Sequence, residues 1–157
     1  MFDLYQEFQK LITGLQEHQI EYAVCGGLAM AVYDHPRATA DIDLLILSES
    51  LAEAMEVAKD LDYTIRGLDM TFAKGAIEIR RISKIDSETG IVLSLDLILV
   101  TPEIQQIWDS RVQTTWEYGR FSVVSREGLI KLKEMGGRPQ DVADIVSLKE
   151  DSENASN

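Results

Sequence analysis

Asp41 and Asp43 open the run DIDLLIL, a segment that otherwise reads as a buried strand. Strand side chains alternate between faces, so both carboxylates project together while Ile42 and Leu44 project the other way. Two carboxylates this close raise each other's pKa unless something cationic lies between them. A divalent cation meets that need, and an all-oxygen donor set suits Mg²⁺ or Mn²⁺ rather than zinc. The plainer reading is a solvated strand end with one aspartate capping a turn, because D-x-D alone is common.

Asp96 narrows the choice. It is the single acid in LSLDLILV, where a charge is costly unless paired or metal-bound. Laid beside the first strand, it would complete a three-carboxylate cage able to hold two metal ions on a nucleoside triphosphate. An ion pair with Arg80 or Arg81 on an adjacent strand is the structural alternative. Gly26-Gly27, between a strand and a short helix, would let backbone amides approach a phosphate with no Cβ in the way.

The elements that must position these residues follow from periodicity and turn residues. Phe2 to Gln19 carries a helical stripe, which either packs on the chain's own core or offers a surface to a partner. Glu21 to Cys25 is a short strand, Leu28 to Tyr33 a short buried helix ended by His35-Pro36, and Asp41 to Leu47 the second strand. Ser48 and Ser50 are candidate caps for a helix over 51–61. Strands are expected over 63–66, 70–73, 76–82 and 91–100, followed by a helical turn from Thr101 through Trp108. A hairpin over 111–124 turns at Glu117-Tyr118-Gly119. Ser125 caps a helix to Met135, Gly136-Gly137-Arg138-Pro139 breaks it, and a last helix covers 140–150. The expected order is α-β-α-β-α-β-β-β-β-α-β-β-α-α. That is a mixed α/β (α+β) domain over 1–150, a mixed sheet flanked by helices, with a polar, frayed tail over 151–157.

The chain has 157 residues, 45% hydrophobic and 27% charged, as expected of one globular domain. No apolar run approaches a membrane span and MFDLYQEFQK is unlike a signal or transit peptide, so the cytoplasm is the expected compartment. The one cysteine, Cys25, excludes an internal disulfide and a Cys-cluster metal site, and reads as a small core residue. Fifteen basic residues against twenty-seven acidic ones, a formal charge of −12, argue against a broad nucleic-acid footprint. A small anionic substrate held by a few local cations and metal ions remains compatible.

Together, GGLA, RATADIDL and LIKLKEMGGRPQDVADIVSL resemble the DNA polymerase-beta nucleotidyltransferase superfamily. The Arg-x-Thr-x-Asp-x-Asp form is similar to its minimal bacterial members, of the abortive-infection, toxin–antitoxin and lincosamide adenylyltransferase types. The resemblance spans about Glu21 to Leu148. It implies a nucleotidyltransferase-like fold and Mg²⁺-dependent NMP transfer from an NTP, ATP foremost, to a hydroxyl on a protein, an RNA end or a small molecule. Asp41, Asp43 and Asp96 would bind metal, Asp96 also helping to deprotonate the acceptor. Gly26 and Gly27 would cradle the triphosphate and Lys133 would reach it. Arg37 would contact a phosphate or anchor its loop. Arg138, Asp141 and Asp144 would form either a helix-start network or substrate contacts. Many relatives carry Ser where Gly27 stands. The charge disfavours RNA as acceptor, and the short chain points to a homodimer or protein partner supplying one wall of the site. An antitoxin-like binding module of the same fold, acting in a complex, is the alternative.

Overall fold

The computed structural model describes residues 3–36, 39–117 and 119–155. Helix α1 (Leu4–Glu17) starts where the Asp3 side chain accepts from the amides of Tyr5 and Gln6. Its stripe of Phe8, Leu11, Ile12 and Leu15 is buried, so it belongs to the core. Phe8 packs edge-on against Trp116 and Phe121. Phe2, where the stripe was expected to begin, lies outside the described residues, as does Tyr118 in the hairpin turn.

The elements that follow are β1 (Ala23–Cys25), α2 (Gly26–Val32), β2 (Asp41–Ile46), α3 (Leu51–Asp60), β3 (Ile65–Arg66), β4 (Met70–Phe72), β5 (Ile77–Ile85) and β6 (Val92–Leu99). Then come α4 (Gln105–Asp109), β7 (Val112–Trp116), β8 (Gly119–Val123), α5 (Arg126–Gly136) and α6 (Pro139–Ala155). This is the order expected from the sequence. All eight strands join one sheet, ordered β3-β5-β6-β2-β1-β8-β7, with β4 also pairing to β5. Pairing is parallel between β2 and β6 and between β1 and β8, and antiparallel elsewhere, so the sheet is mixed. One face carries Ile42, Leu44, Leu95, Leu97 and Ile82, all fully or nearly buried. No helix among the described residues is long and apolar enough to cross a membrane.

Most boundaries fall within two residues of expectation, and three differences shape the core or the site. Strand β5 continues past Ile82 to Ile85 because Ser83, Lys84 and Ile85 pair with Ser94, Leu93 and Val92. Helix α6 runs to Ala155, into the stretch expected to be a tail, and Asp151 there bonds His35 and Arg126. Helix α2 begins at Gly26, placing both glycines in its first turn. Ser125 caps α5 through the Gly128 amide, whereas Ser50 makes no side-chain cap to α3.

The core also holds an ion pair that sequence reading missed. Lys84 Nζ lies 2.6 Å from Glu7 Oε2, and the Tyr63 hydroxyl donates to the same carboxylate at 3.1 Å. Lys84 also donates to the Leu61 carbonyl at 3.2 Å. This network ties α1 to β5 and to the turn after α3. Breaking a buried pair by removing one partner leaves the other charge uncompensated, typically at ~3–5 kcal/mol. We expect Glu7→Gln to lower unfolding free energy by about 3 kcal/mol in urea titrations. The double variant E7Q/K84M should recover most of that loss.

Candidate active site

Strands β2 and β6 run parallel in a register that sets Asp41 beside Ser94 and Asp43 beside Asp96. Strand β1 brings Cys25 opposite Asp43, and β5 brings Arg81 opposite Asp96 and Ser83 opposite Ser94. Directly paired residues share a face. One face therefore carries the row Cys25, Asp43, Asp96, Arg81 and, next to it, the row Asp41, Ser94, Ser83. The three carboxylates expected to meet lie on one face of two neighbouring strands.

The Asp96 side chain is 7% exposed and both its oxygens are engaged by the Arg81 guanidinium, Nε to Oδ1 at 2.7 Å and Nη2 to Oδ2 at 2.8 Å. The ion-pair alternative for Asp96 is thus realised. Arg81 Nη2 also lies 4.0 Å from Asp41 Oδ2. Asp43 is pushed up to about 7, by burial first and then by the charges of Asp96 and Asp41, with Arg138 and Arg81 opposing. Asp41 is raised in the same way, burial first and then Asp96. The Cys25 thiol behind them is buried and raised well above its ordinary value, by burial and then by the Asp43 charge, which leaves it unreactive.

The two glycines have a packing task of their own. Gly26 has φ +64, and a Cβ there would fall 2.1 Å from Asp43 Oδ2. A Cβ on Gly27 would fall 2.9 Å from both Cβ and Oγ1 of Thr39. The Cβ-free sides of the pair are therefore filled by protein groups. Thr39, in the motif but given no role from sequence, donates its hydroxyl to the Asp41 carbonyl at 3.2 Å and so shapes the entry to β2.

Lys133 differs from expectation. Its side chain is 5% exposed and its ammonium donates to Asp144 at 2.8 Å, with Asp141 at 3.8 Å. Withdrawing it toward a phosphate would break its short bond to the buried Asp144, so it joins α5 to α6. Arg138 is the cation at the surface there. Its backbone and side chain both donate to Asp141, its side chain is 72% exposed, and its charge reaches Asp43 and Asp41. The helix-start network is thus present. Arg37 lies outside the described residues.

Among the described residues, no three His, Cys, Asp or Glu side chains are disposed to hold a metal ion as they stand. The donor chemistry nonetheless fits a hard divalent cation: three carboxylates share one face, and the carboxyl of Asp43 is raised by burial and then by its two acidic neighbours. Asp41 and Asp43 fit directly, and Asp96 fits once Arg81 releases an oxygen.

No family model and no curated protein matches the sequence. Solved structures do match in fold. A Thermotoga maritima protein, TM1012, provisionally described as a nucleotidyltransferase, aligns with TM-score 0.61 at 14% identity, over 94% of this chain and 93% of its own. The lincosamide antibiotic adenylyltransferase LnuA, solved with lincomycin bound, aligns at 0.60 and 15%, over 92% and 95%. ANT(2″)-Ia, solved with adenylyl-2″-tobramycin, aligns at 0.64 and 15%, over 95% and 88%. This chain has the nucleotidyltransferase fold. At these identities the likeness is one of architecture, and the residues carry the chemistry.

Two outcomes test the geometry. Asp43 is raised from 3.8 to about 7 in the folded state, so its contribution to stability is full below pH 4 and is lost as pH rises to 7. In EDTA, unfolding free energy should fall across that window at up to ~1.4 kcal/mol per pH unit, the one-proton limit, and Asp43→Asn should flatten the fall. Gly26→Ala should cost at least ~1–2 kcal/mol for the left-handed backbone alone, read as a lower urea midpoint.

Proposed function

We propose that this protein is a nucleotidyltransferase that uses Mg²⁺ or Mn²⁺ to move NMP from an NTP, ATP foremost, onto a hydroxyl acceptor. The observation that carries the reading is the register of β2 on β6, which gathers Asp41, Asp43 and Asp96 on one face. The solved adenylyltransferases of the same fold support it.

Asp41 and Asp43 would hold the first ion, and Asp96 would join them at a second. When bound, the ions supply the positive charge that stabilises the entering and leaving oxygens of phosphoryl transfer. Asp96 takes the proton from the acceptor hydroxyl as its oxygen bonds to the α-phosphorus. The bond from that phosphorus to the bridging oxygen breaks, and pyrophosphate leaves. Arg138, exposed and within electrostatic reach of Asp43, would meet phosphate oxygens in place of Lys133. An acceptor that is a small molecule or a protein suits the charge of −12 better than RNA does.

A second reading, a binding module of the same fold that works in a complex with a partner protein, is favoured by one observation: the Arg81 fork already neutralises Asp96. Label transfer from [α-³²P]ATP with Mg²⁺, with and without a co-purifying partner, separates the two. We expect transfer by the wild type, and a loss of at least about a thousandfold, near 4 kcal/mol of barrier, in Asp43→Asn and Asp96→Asn, with circular dichroism unchanged. Retained turnover in both variants would sink the enzyme reading, and stable co-purification with no label transfer would favour the module.

A further inference from the structure

Arg81 has no part in the reaction as written above, yet it holds the third carboxylate through both oxygens at 2.7 and 2.8 Å. The two partners differ in freedom. Asp96 sits in mid-strand with its side chain 7% exposed and cannot leave its row. The Arg81 side chain is 37% exposed, and apart from the Asp96 fork only its base is clamped. The Arg81 carbonyl accepts from the Gly67 amide at 2.9 Å and from Arg66 Nη1 at 2.8 Å. The stem lies along Gly67, where a Cβ would come within 3.1 Å of Arg81 Cβ. Once Asp96 lets go, the guanidinium end can swing toward solvent, whereas Lys133 in its 5%-exposed setting cannot.

We propose that Arg81 is the resident counter-ion of the second metal position, a positioning residue that keeps Asp96 in place and yields it only when a divalent ion competes for it. The proposal rests on the metal-dependent reading above. An ion held by Asp41 and Asp43 would lie close to the guanidinium, which is already 4.0 Å from Asp41 Oδ2, and like charges at that range repel. Loading is therefore ordered: the first ion enters at Asp41 and Asp43 and loosens Arg81, and the second then takes Asp96. Most of the cost of breaking a charge-assisted, two-pronged pair falls on the second ion. The arrangement also keeps a buried carboxylate compensated in the metal-free protein.

The test counts bound Mn²⁺ by the electron paramagnetic resonance of the free ion, without nucleotide, so it does not depend on turnover. The wild type should bind one ion well and a second far more weakly. Arg81→Met keeps the stem and removes the charge, and should tighten the second ion about tenfold or more. Asp43→Asn should abolish the first. Equal second-ion affinity in wild type and Arg81→Met, with the first ion still lost in Asp43→Asn, would overturn the role of Arg81 and leave the transferase reading standing. Absence of Mn²⁺ binding in wild type and Arg81→Met alike would overturn both. Should Arg81→Met fail to fold by circular dichroism, Arg81→Lys decides. Its point charge grips Asp96 less firmly than the planar fork, so the second ion should bind several-fold tighter than in wild type, and no change overturns the proposal.

Discussion

The parallel pairing of β2 with β6 sets one carboxylate directly opposite another, and much of the surrounding structure answers that placement. Like charges opposed across strands destabilise a sheet unless a counter-charge is built in. Here the counter-charge stands in the same row, one strand further out, where Arg81 on β5 meets Asp96. The adjoining row is neutralised differently. Ser83 and Ser94 bond each other at 2.9 Å beside Asp41, which is itself 46% exposed and draws on water. Charge is thus tolerated at the rim and compensated inside.

The same need for close approach explains the turn that feeds the site. A residue with a side chain at position 26 would collide with the Asp43 carboxylate, and one at position 27 would collide with Thr39. Absence of Cβ lets the first turn of α2 press against the start of β2, which fixes where Asp43 points. The cations divide in the same manner. Lys133 is spent inside, on Asp144 and Asp141, and joins the last two helices. Arg138 and Arg81 remain at the edge, where they lower the field on the acids without cancelling it. In a chain of net charge −12, such local placement of a few cations matters more than their number.

The far side of the sheet performs a separate task. Glu7, Lys84 and Tyr63 form a buried polar bridge in an otherwise apolar layer, and through it α1 is held to β5, the strand that carries Arg81. The acid-bearing strands are thus flanked by one that is anchored on both faces, by the Glu7 pair on one and the Asp96 fork on the other. Sites of this kind need rigid elements beneath them, because carboxylates that share a cation must be held against their own repulsion.

The order of the elements was legible in the chain alone because it depends on local signals: the stripe of α1, the alternation of Asp41 to Ile46, and turn residues such as Gly136-Gly137. So was the list of acids, since Asp96 in LSLDLILV demands a partner wherever it goes. Which partner it takes was decided by register, for Arg80 and Arg81 are neighbours in sequence and only pairing opposite Asp96 selects Arg81. The fate of Lys133 and the extension of β5 to Ile85 were likewise tertiary matters, set by α6 carboxylates and by pairing with β6. Composition and spacing determine which charges must be compensated, whereas only the packed sheet determines by whom, because an ion pair across strands is a contact that no single segment contains.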